Sequence, residues 1–391
     1  MNVDFRAVSA TALGAKGAFR AGWVREAFDA VDRAHFAPPR FWSQTAQPDG
    51  HYPVLDRDAD AGAWYRAVWH PHHSLVTQFD DQRTHGDGGP ARGAFTSSVS
   101  APDTVCELLC QLELEPGHRV LELGTASGYV TALLCERVGD ANVTSVEIDP
   151  VLADWGAKNL TAAGYQPYLV HGDGLLGVPH RAPFDRVLAT AALRSVPYAW
   201  VEQAAPGARV LTPYGTCYAT GALLALTVPG GTGGTGGTGG TGGTAHGRFT
   251  GTAHYMWARG HRPARTLHAG DADVRKAASP LDPAQVLDGP WHQDFSIGLS
   301  VPDVACAHRG DGAQRQAQLW DERGTSVTLV NYADWWRPDT VTAYGPRDLW
   351  HEVVAAYTAW RTAGQPPLTH HGLTLTPESA TPWRGSPAHP L

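Results

Sequence analysis

A mostly parallel α/β sheet is the fold that residues 120–189 predict, on three observations. The first is Val120-Leu-Glu-Leu-Gly-Thr-Ala-Ser-Gly-Tyr129, an apolar strand that enters a turn bracketed by Gly124 and Gly128 and leaves it as a helix, with Ser127 as its expected N-cap. The second is a further strand, Asn142-Val-Thr-Ser-Val-Glu-Ile148, whose Glu147 lies 23 residues after Gly124. The third is a pair of later strands in the right order. Val170-His-Gly-Asp-Gly174 closes a third strand with an acid between two glycines, and Pro183-Phe-Asp-Arg-Val-Leu-Ala189 is a fourth. This is the Rossmann arrangement: glycines let backbone N–H groups approach a ligand, and an acid at the next strand's end takes ribose hydroxyls. The Gly-x-Gly-x-x-Gly turn of a dinucleotide site is missing, so a nicotinamide dehydrogenase is not expected. A ligand with a ribose and base but no phosphates is.

The same strings carry a resemblance. VLELGTASGY, SVEID, GDGLLG, APFDRVLATAALRSVP and GARVLTPYG, in this order, resemble the successive motifs of the protein-L-isoaspartate O-methyltransferases, S-adenosylmethionine (SAM) enzymes that esterify a peptide carboxylate. Thr96-Ser-Ser-Val-Ser-Ala-Pro102 resembles the family's Thr-Ile-Ser-Ala-Pro substrate loop, and His35-Phe-Ala-Pro-Pro39 its Arg-x-x-Phe-Val-Pro entry. The resemblance covers roughly residues 90 to 260. One departure is Ala126, where glycine is usual, which narrows the turn.

The resemblance implies a SAM site and the roles of its residues. Gly124, Thr125, Ala126, Ser127 and Gly128 wrap the methionine and ribose end of the cofactor. Glu147 accepts from the ribose hydroxyls with Ile148 beside it. Gly172, Asp173 and Gly174 serve the adenine, Asp173 accepting from its amine. Thr190 lines the crevice. Ser100 holds the substrate carboxylate near the methyl group, and Ser98 takes the family's threonine position; these two are the candidate catalytic residues. Ser100-Ala-Pro-Asp also reads as a helix cap, and both roles stay open. A carboxylate is already a nucleophile at neutral pH, so positioning and removal of water suffice and no acid/base pair is needed. A hydrolase is not expected either, because no Gly-x-Ser-x-Gly elbow occurs.

Composition narrows the class. The chain has 391 residues and a formal net charge of −8, with no basic stripe, so neither nucleic acid nor an anionic membrane is an expected partner. No stretch approaches the roughly 20 apolar residues of a membrane span, and no signal-peptide core opens the chain. Cys106, Cys110, Cys135, Cys217 and Cys306 are an odd, dispersed set that fits a reducing cytoplasm. Cys106 and Cys110 share a helix face as core residues, and His70-Pro-His-His73 lacks regular spacing and carboxylate partners. No metal is expected.

Three segments are expected. Residues 1–94 comprise a helical start and, over 42–94, a partly ordered arm rich in Pro, Gly, Asp and His, with Ser74-Leu-Val-Thr-Gln78 as one extended segment, expected to lie over the active site. Residues 95–261 form the methyltransferase domain, with a helix from Pro102 to Leu112, a short helix at Val196–Gln203 and later strands at Ala208–Thr212, Leu223–Val228 and Phe249–Trp257. Within it, the Gly-Thr tract 230–244 has no apolar side chains to pack and reads as a disordered hairpin extension. Residues 262–391 read as an α+β extension for peptide recognition. Its expected strands are Val286–Trp291, Val327–Val330 and His370–Thr376, and its helix Arg347–Arg361. Its tryptophans are either core or a peptide-binding face, and the pair Trp335-Trp336 on a loop points to recognition.

The function expected is therefore carboxyl O-methylation of a peptide or protein. Two substrates compete: isoaspartyl damage in many proteins, and one aspartate of a ribosomally made, modified bacterial peptide, whose ester closes to a succinimide (aspartimide). The chain resembles long actinobacterial members of the family found beside lanthipeptide, lasso and graspetide machinery, which favours the second. A SAM-binding but inactive recognition protein is the remaining alternative.

Overall fold

The computed structural model describes residues 3–230, 243–263, 267 and 273–391. Most of the Gly-Thr tract, 231–242, falls outside them. The chain divides into two compact units. The first comprises residues 1–191, 197–211 and 227–243, and the second 192–196, 212–226 and 244–391.

The first unit opens with α1 (Phe5–Ala15), capped by Asp4 on the Ala7 N–H at 3.0 Å, and α2 (Gly22–Ala30), which buries Val24, Ala27 and Phe28. A short 3-10 turn, Arg33–Phe36, comes next. The expected arm is instead a small antiparallel sheet. Its strands are β1 (Arg40–Trp42), β2 (Val54–Asp56), β3 (Leu75–Phe79), β4 (Arg83–Thr84) and β5 (Phe95–Val99), with α3 (Ala61–Val68) between β2 and β3. They lie in the order β2-β1-β3-β4, and β5 also pairs with β3. Aromatic burial holds this sheet together: Trp42, Val76, Phe79 and Ala91 form its core, with Tyr52, Val54 and Phe95 packed on it. The Trp42 and Phe79 rings meet edge to face at 5.0 Å.

The rest of the first unit is the predicted parallel sheet. After α4 (Pro102–Gln111) come β6 (Val120–Leu123), α5 (Tyr129–Val138), β7 (Val143–Glu147), α6 (Pro150–Ala162), β8 (Tyr168–His171), β9 (Phe184–Ala189), α7 (Tyr198–Glu202) and β10 (Ala204–Gly215). Their order is β10-β9-β6-β7-β8, every pair parallel. Strand order reverses at β6, where α/β sheets place their ligands. All four residues of β6 and all five of β7 are buried, as a strand covered on both faces requires.

In the second unit, β11 (Thr220–Thr227), β12 (Ala245–Thr252), β18 (His371–Leu375) and β19 (Ala380–Arg384) lie side by side. A separate antiparallel sheet runs β13-β17-β16-β15-β14, from β13 (Val274–Ala277), β14 (Val304–Arg309), β15 (Gln316–Asp321), β16 (Val327–Asn331) and β17 (Val341–Tyr344). The predicted amphipathic helix is α10 (Leu349–Thr362), which packs Leu349, Trp350, Val353, Tyr357 and Trp360 into the core over this sheet. Val286–Trp291 is not a strand. Asp282 caps α8 (Pro283–Leu287) on the Ala284 N–H at 2.9 Å, and Trp291 opens α9 (Trp291–Ser300). Nor is β18 last, since β19 pairs with it. Among the described residues no helix is long and apolar enough to cross a membrane.

Candidate functional site

The ends of β6, β7 and β8 bring together most of the residues that the motifs single out. Gly124 and Gly128 have φ of 102° and 86°, a region open to glycine and strained for other residues. A Cβ on Gly124 would meet the Thr190 hydroxyl at 2.5 Å, and one on Gly128 the Leu160 side chain at 2.7 Å. Ala126 also has a positive φ, 42°, so the one non-glycine in the usual pattern sits in a strained conformation. Gly128, not Ser127, is the N-cap of α5 and makes no side-chain cap. The Ser127 hydroxyl instead accepts from the Tyr129 N–H at 3.3 Å.

The Glu147 carboxylate at the end of β7 is buried and fixed from two sides: the Ala126 N–H donates to it at 2.9 Å and the Asp149 N–H at 3.0 Å. The turn and the carboxylate therefore position each other. Glu147 and Thr125 line a cavity of about 310 Å³ with Pro150, Ala157, Leu169 and His171. Asp173 is exposed; one oxygen accepts from the Leu175 N–H at 2.9 Å, capping a short 3-10 turn, and Gly174 behind it leaves no room for a Cβ against Leu123. Ile148 and Leu176 are large apolar side chains left 42% and 67% exposed at these strand ends, faces that suit a base. Thr190 does not point a free hydroxyl at the crevice. It donates to the Leu123 and Gly124 carbonyls at 3.0 Å each and so braces the turn.

One buried carboxylate lies inside the first motif, VLELGTASGY, without being among the candidate site residues. Glu122 in β6 is fully enclosed and accepts from the Thr131 hydroxyl at 2.6 Å; burial pushes its carboxyl up to about 7.

Ser98 and Ser100 lie at the end of β5, half-buried, and neither hydroxyl has a hydrogen-bond partner among the described residues. The capping role of Ser100 is not realised: α4 is capped at Ala101 with no side-chain bond. What holds this segment is Arg33. Its guanidinium is fully buried and donates to the carbonyls of Val99 at 3.1 Å, Ser100 at 2.9 Å, His73 at 3.2 Å and Val68. It also lies 5.8 Å from the ring centre of Tyr129, the first residue of α5. Burial lowers its pKa to about 10, which leaves it charged at neutral pH. Arg33 is the arginine of the Arg-x-x-Phe-x-Pro pattern, Arg33-Ala-His-Phe36-Ala-Pro38; the pattern points to the residue but not to its burial among four carbonyls.

Contrary to the sequence expectation, the histidine cluster does have a carboxylate partner, Asp103. His70 stacks on His73 at 3.5 Å and His72 pairs with Asp103 at 2.6 Å, and among the described residues no group of three or more His, Cys, Asp or Glu is arranged to hold a metal. Cys106 is buried in the core, where desolvation pushes its thiol up to about 12. Trp350 and Trp360 are core; in the turn after β16, Trp336 is 63% exposed and meets Trp335 at 5.8 Å.

Comparison with known proteins fits this geometry. Residues 80–224 match the sequence family described as protein-L-isoaspartate(D-aspartate) O-methyltransferase. The protein-L-isoaspartate O-methyltransferase of Anaeromyxobacter dehalogenans strain 2CP-C is 40% identical over 177 residues, 42% of this chain and 77% of its own length. That of Methanopyrus kandleri is 38% identical over 148 residues, 37% of this chain. The chain spans 65% of the length of the Methanopyrus protein and 54% of the Thermococcus onnurineus one. A solved structure of a protein-L-isoaspartate O-methyltransferase shares the fold across 97% of this chain and 100% of its own, with a TM-score of 0.54 at 18% identity.

Proposed function

Because the chain belongs to the protein-L-isoaspartate O-methyltransferase family, we propose that it methylates an aspartate-derived carboxylate of a peptide or protein with SAM. When bound, SAM supplies a methyl group on a sulfonium, activated for in-line displacement. The donor set fits such a group. Glu147 offers a fixed anionic acceptor for vicinal hydroxyls, the outer oxygen of Asp173 an acceptor for an amine, and Ile148 and Leu176 apolar cover for a base. None of residues 124–128 is basic, in keeping with a ligand without phosphates.

Ser98 and Ser100 would hold the carboxylate by hydrogen bonds without protonating it. The observation that carries this reading is Arg33, one buried cation bonded to the Ser100 carbonyl and lying over the first residue of the helix that leaves the glycine turn. A rigid tie of this kind is what an in-line transfer between two bound groups needs.

On the substrate, the names of the relatives support isoaspartate. The added length does not argue against it, since a protein of that name shares the fold over nearly the whole chain. The second reading, a normal aspartate of a ribosomally made modified peptide, draws support from the exposed Trp336 beside Trp335, a surface able to grip one partner. There the ester carbonyl would be attacked by the next backbone nitrogen, methanol would leave, and a succinimide would form.

Mass spectrometry separates the readings. Ester formation across a panel of generic isoaspartyl peptides supports repair. No reaction there, with a gain of about 14 Da and then a net loss of about 18 Da on a precursor peptide encoded by a neighbouring gene, supports the second. SAM binding without methyl transfer to either would leave a recognition protein.

A further inference from the structure

We infer that Gln78 is a positioning residue that couples the candidate substrate strand β5 to the cofactor carboxylate Glu147. The inference rests on the proposed roles of Glu147 and Ser98. Gln78 lies in β3, outside the residues that match the family, and is 1% exposed. An amide buried to that extent must be paired on both ends. Its Nε2 donates to Asp149 Oδ2 at 2.9 Å, and its Oε1 accepts from the Thr96 hydroxyl at 2.9 Å.

Each neighbour extends the chain of bonds. The Asp149 N–H donates to Glu147 at 3.0 Å, and the other Asp149 oxygen caps α6 on Val151 and Leu152 at 2.8 and 3.2 Å. Thr96 stands in β5 two residues before Ser98, and its hydroxyl also accepts from the Asp81 N–H at 3.1 Å. The β3–β5 ladder is irregular on both sides of Gln78, as a bulge that bends a strand and redirects a side chain would make it. The path Thr96–Gln78–Asp149–Glu147 thus joins the two halves of the site without touching either reacting group. A ligand that fixes Glu147 should also order β5, so that cofactor binding prepares the strand that receives the substrate.

The test uses the full chain and S-adenosylhomocysteine as probe, with hydrogen exchange read at the β5 amides 95–99. In the native chain the probe should slow exchange there at least about fivefold. Gln78→Met keeps the volume and removes both bonds; it should still bind the probe but lose most of that protection. Thr96→Val cuts the path at its outer end and should do the same, which keeps the test open if Gln78→Met fails to fold. The double change Gln78→Glu with Asp149→Asn reverses the polarity of the central bond and should restore the protection. A merely structural glutamine would alter the melting temperature without altering this ligand-dependent difference. Probe binding without protection of β5 in the native chain, or equal protection in Gln78→Met and Thr96→Val, overturns the inference. Absence of probe binding in the native chain overturns the cofactor reading itself.

Discussion

The glycine turn after β6 and the serine segment after β5 are held in place in opposite ways. The turn is fixed mostly by backbone: the Gly124 N–H donates to the Val146 carbonyl at 2.8 Å, the Gly128 N–H to Thr125 at 2.7 Å, and the Ala126 N–H to Glu147. The serine segment depends on the Arg33 side chain, which serves four carbonyls from three stretches of chain. Backbone scaffolds distribute their support over many bonds. A side-chain scaffold concentrates it, so that one substitution can remove it all.

The sharpest way to break this contrast is Arg33→Met. Four carbonyls, those of Val68 and Val99 buried and those of His73 and Ser100 partly so, would lose this donor at about 1–3 kcal/mol for each buried one, so we expect a loss of at least about 3 kcal/mol in urea unfolding together with most of the turnover. Near-native stability and turnover would show that the segment stands by itself.

Glu122→Gln comes next. The Glu122 carboxyl is raised from 4.5 to about 7 by burial, so the folded chain holds a proton that the unfolded chain releases in that range. Its contribution to stability is full below about pH 4.5, falls as pH rises to about 7, and is constant above. The glutamine variant should lose this slope and exceed the native chain at pH 8 by about 1–3 kcal/mol, measured by unfolding at pH 5 and 8.

Glu147→Ala should weaken SAM binding by calorimetry at least about tenfold, since it removes a charged acceptor. Unchanged affinity would take Glu147 out of the site. Ser100→Ala should lower turnover about three- to tenfold, one hydrogen bond's worth, while SAM affinity stays level. A fall in affinity with turnover per bound complex intact would undo its substrate role. Smallest is Ala126→Gly. Relief of the strain at φ 42° opposes the greater freedom of glycine in the unfolded chain, and the net change in unfolding free energy should stay under about 1 kcal/mol.

The parallel sheet was legible because its signals are local: β6 is a mostly apolar run, β7 and β9 set apolar residues between turn signals, all three lie within a residue or two of their expected bounds, and the glycines mark the turn. Of the sheet β1 to β5 only β3 was, as the extended segment Ser74–Gln78; the rest was not, because its strands are two to five residues long and its apolar core is drawn from Trp42, Phe79 and Phe95, far apart in sequence and set among Pro, Gly and His. Val286–Trp291 misled because an apolar pair before Gly-Pro fits a strand end as well as a helix end. At the site, motif order singled out Glu147 and the glycines as candidates and the Arg-x-x-Phe-x-Pro pattern reached Arg33, yet neither the bracing bonds of Thr190, nor the burial of Arg33, nor Gln78 could be read from them. The importance of Arg33 and Gln78 comes from burial among distant carbonyls and carboxylates, which no periodicity encodes.

The register of β12 against β18 bears on any attempt to shorten the chain. Ala245–Arg248 pair antiparallel with Gly372–Leu375, and the Phe249 ring packs edge to face on Phe295 at 5.0 Å. A polypeptide ended at residue 261, where the family resemblance fades, would keep β12 but lose β18 and Phe295. Its last strand would then present a raw row of amides and carbonyls beside an uncovered phenyl ring, the surface through which strands of separate molecules zip together. Such a fragment would precipitate or form chains of itself whatever the state of its SAM site, and its failure to turn over substrate would say nothing about where recognition resides.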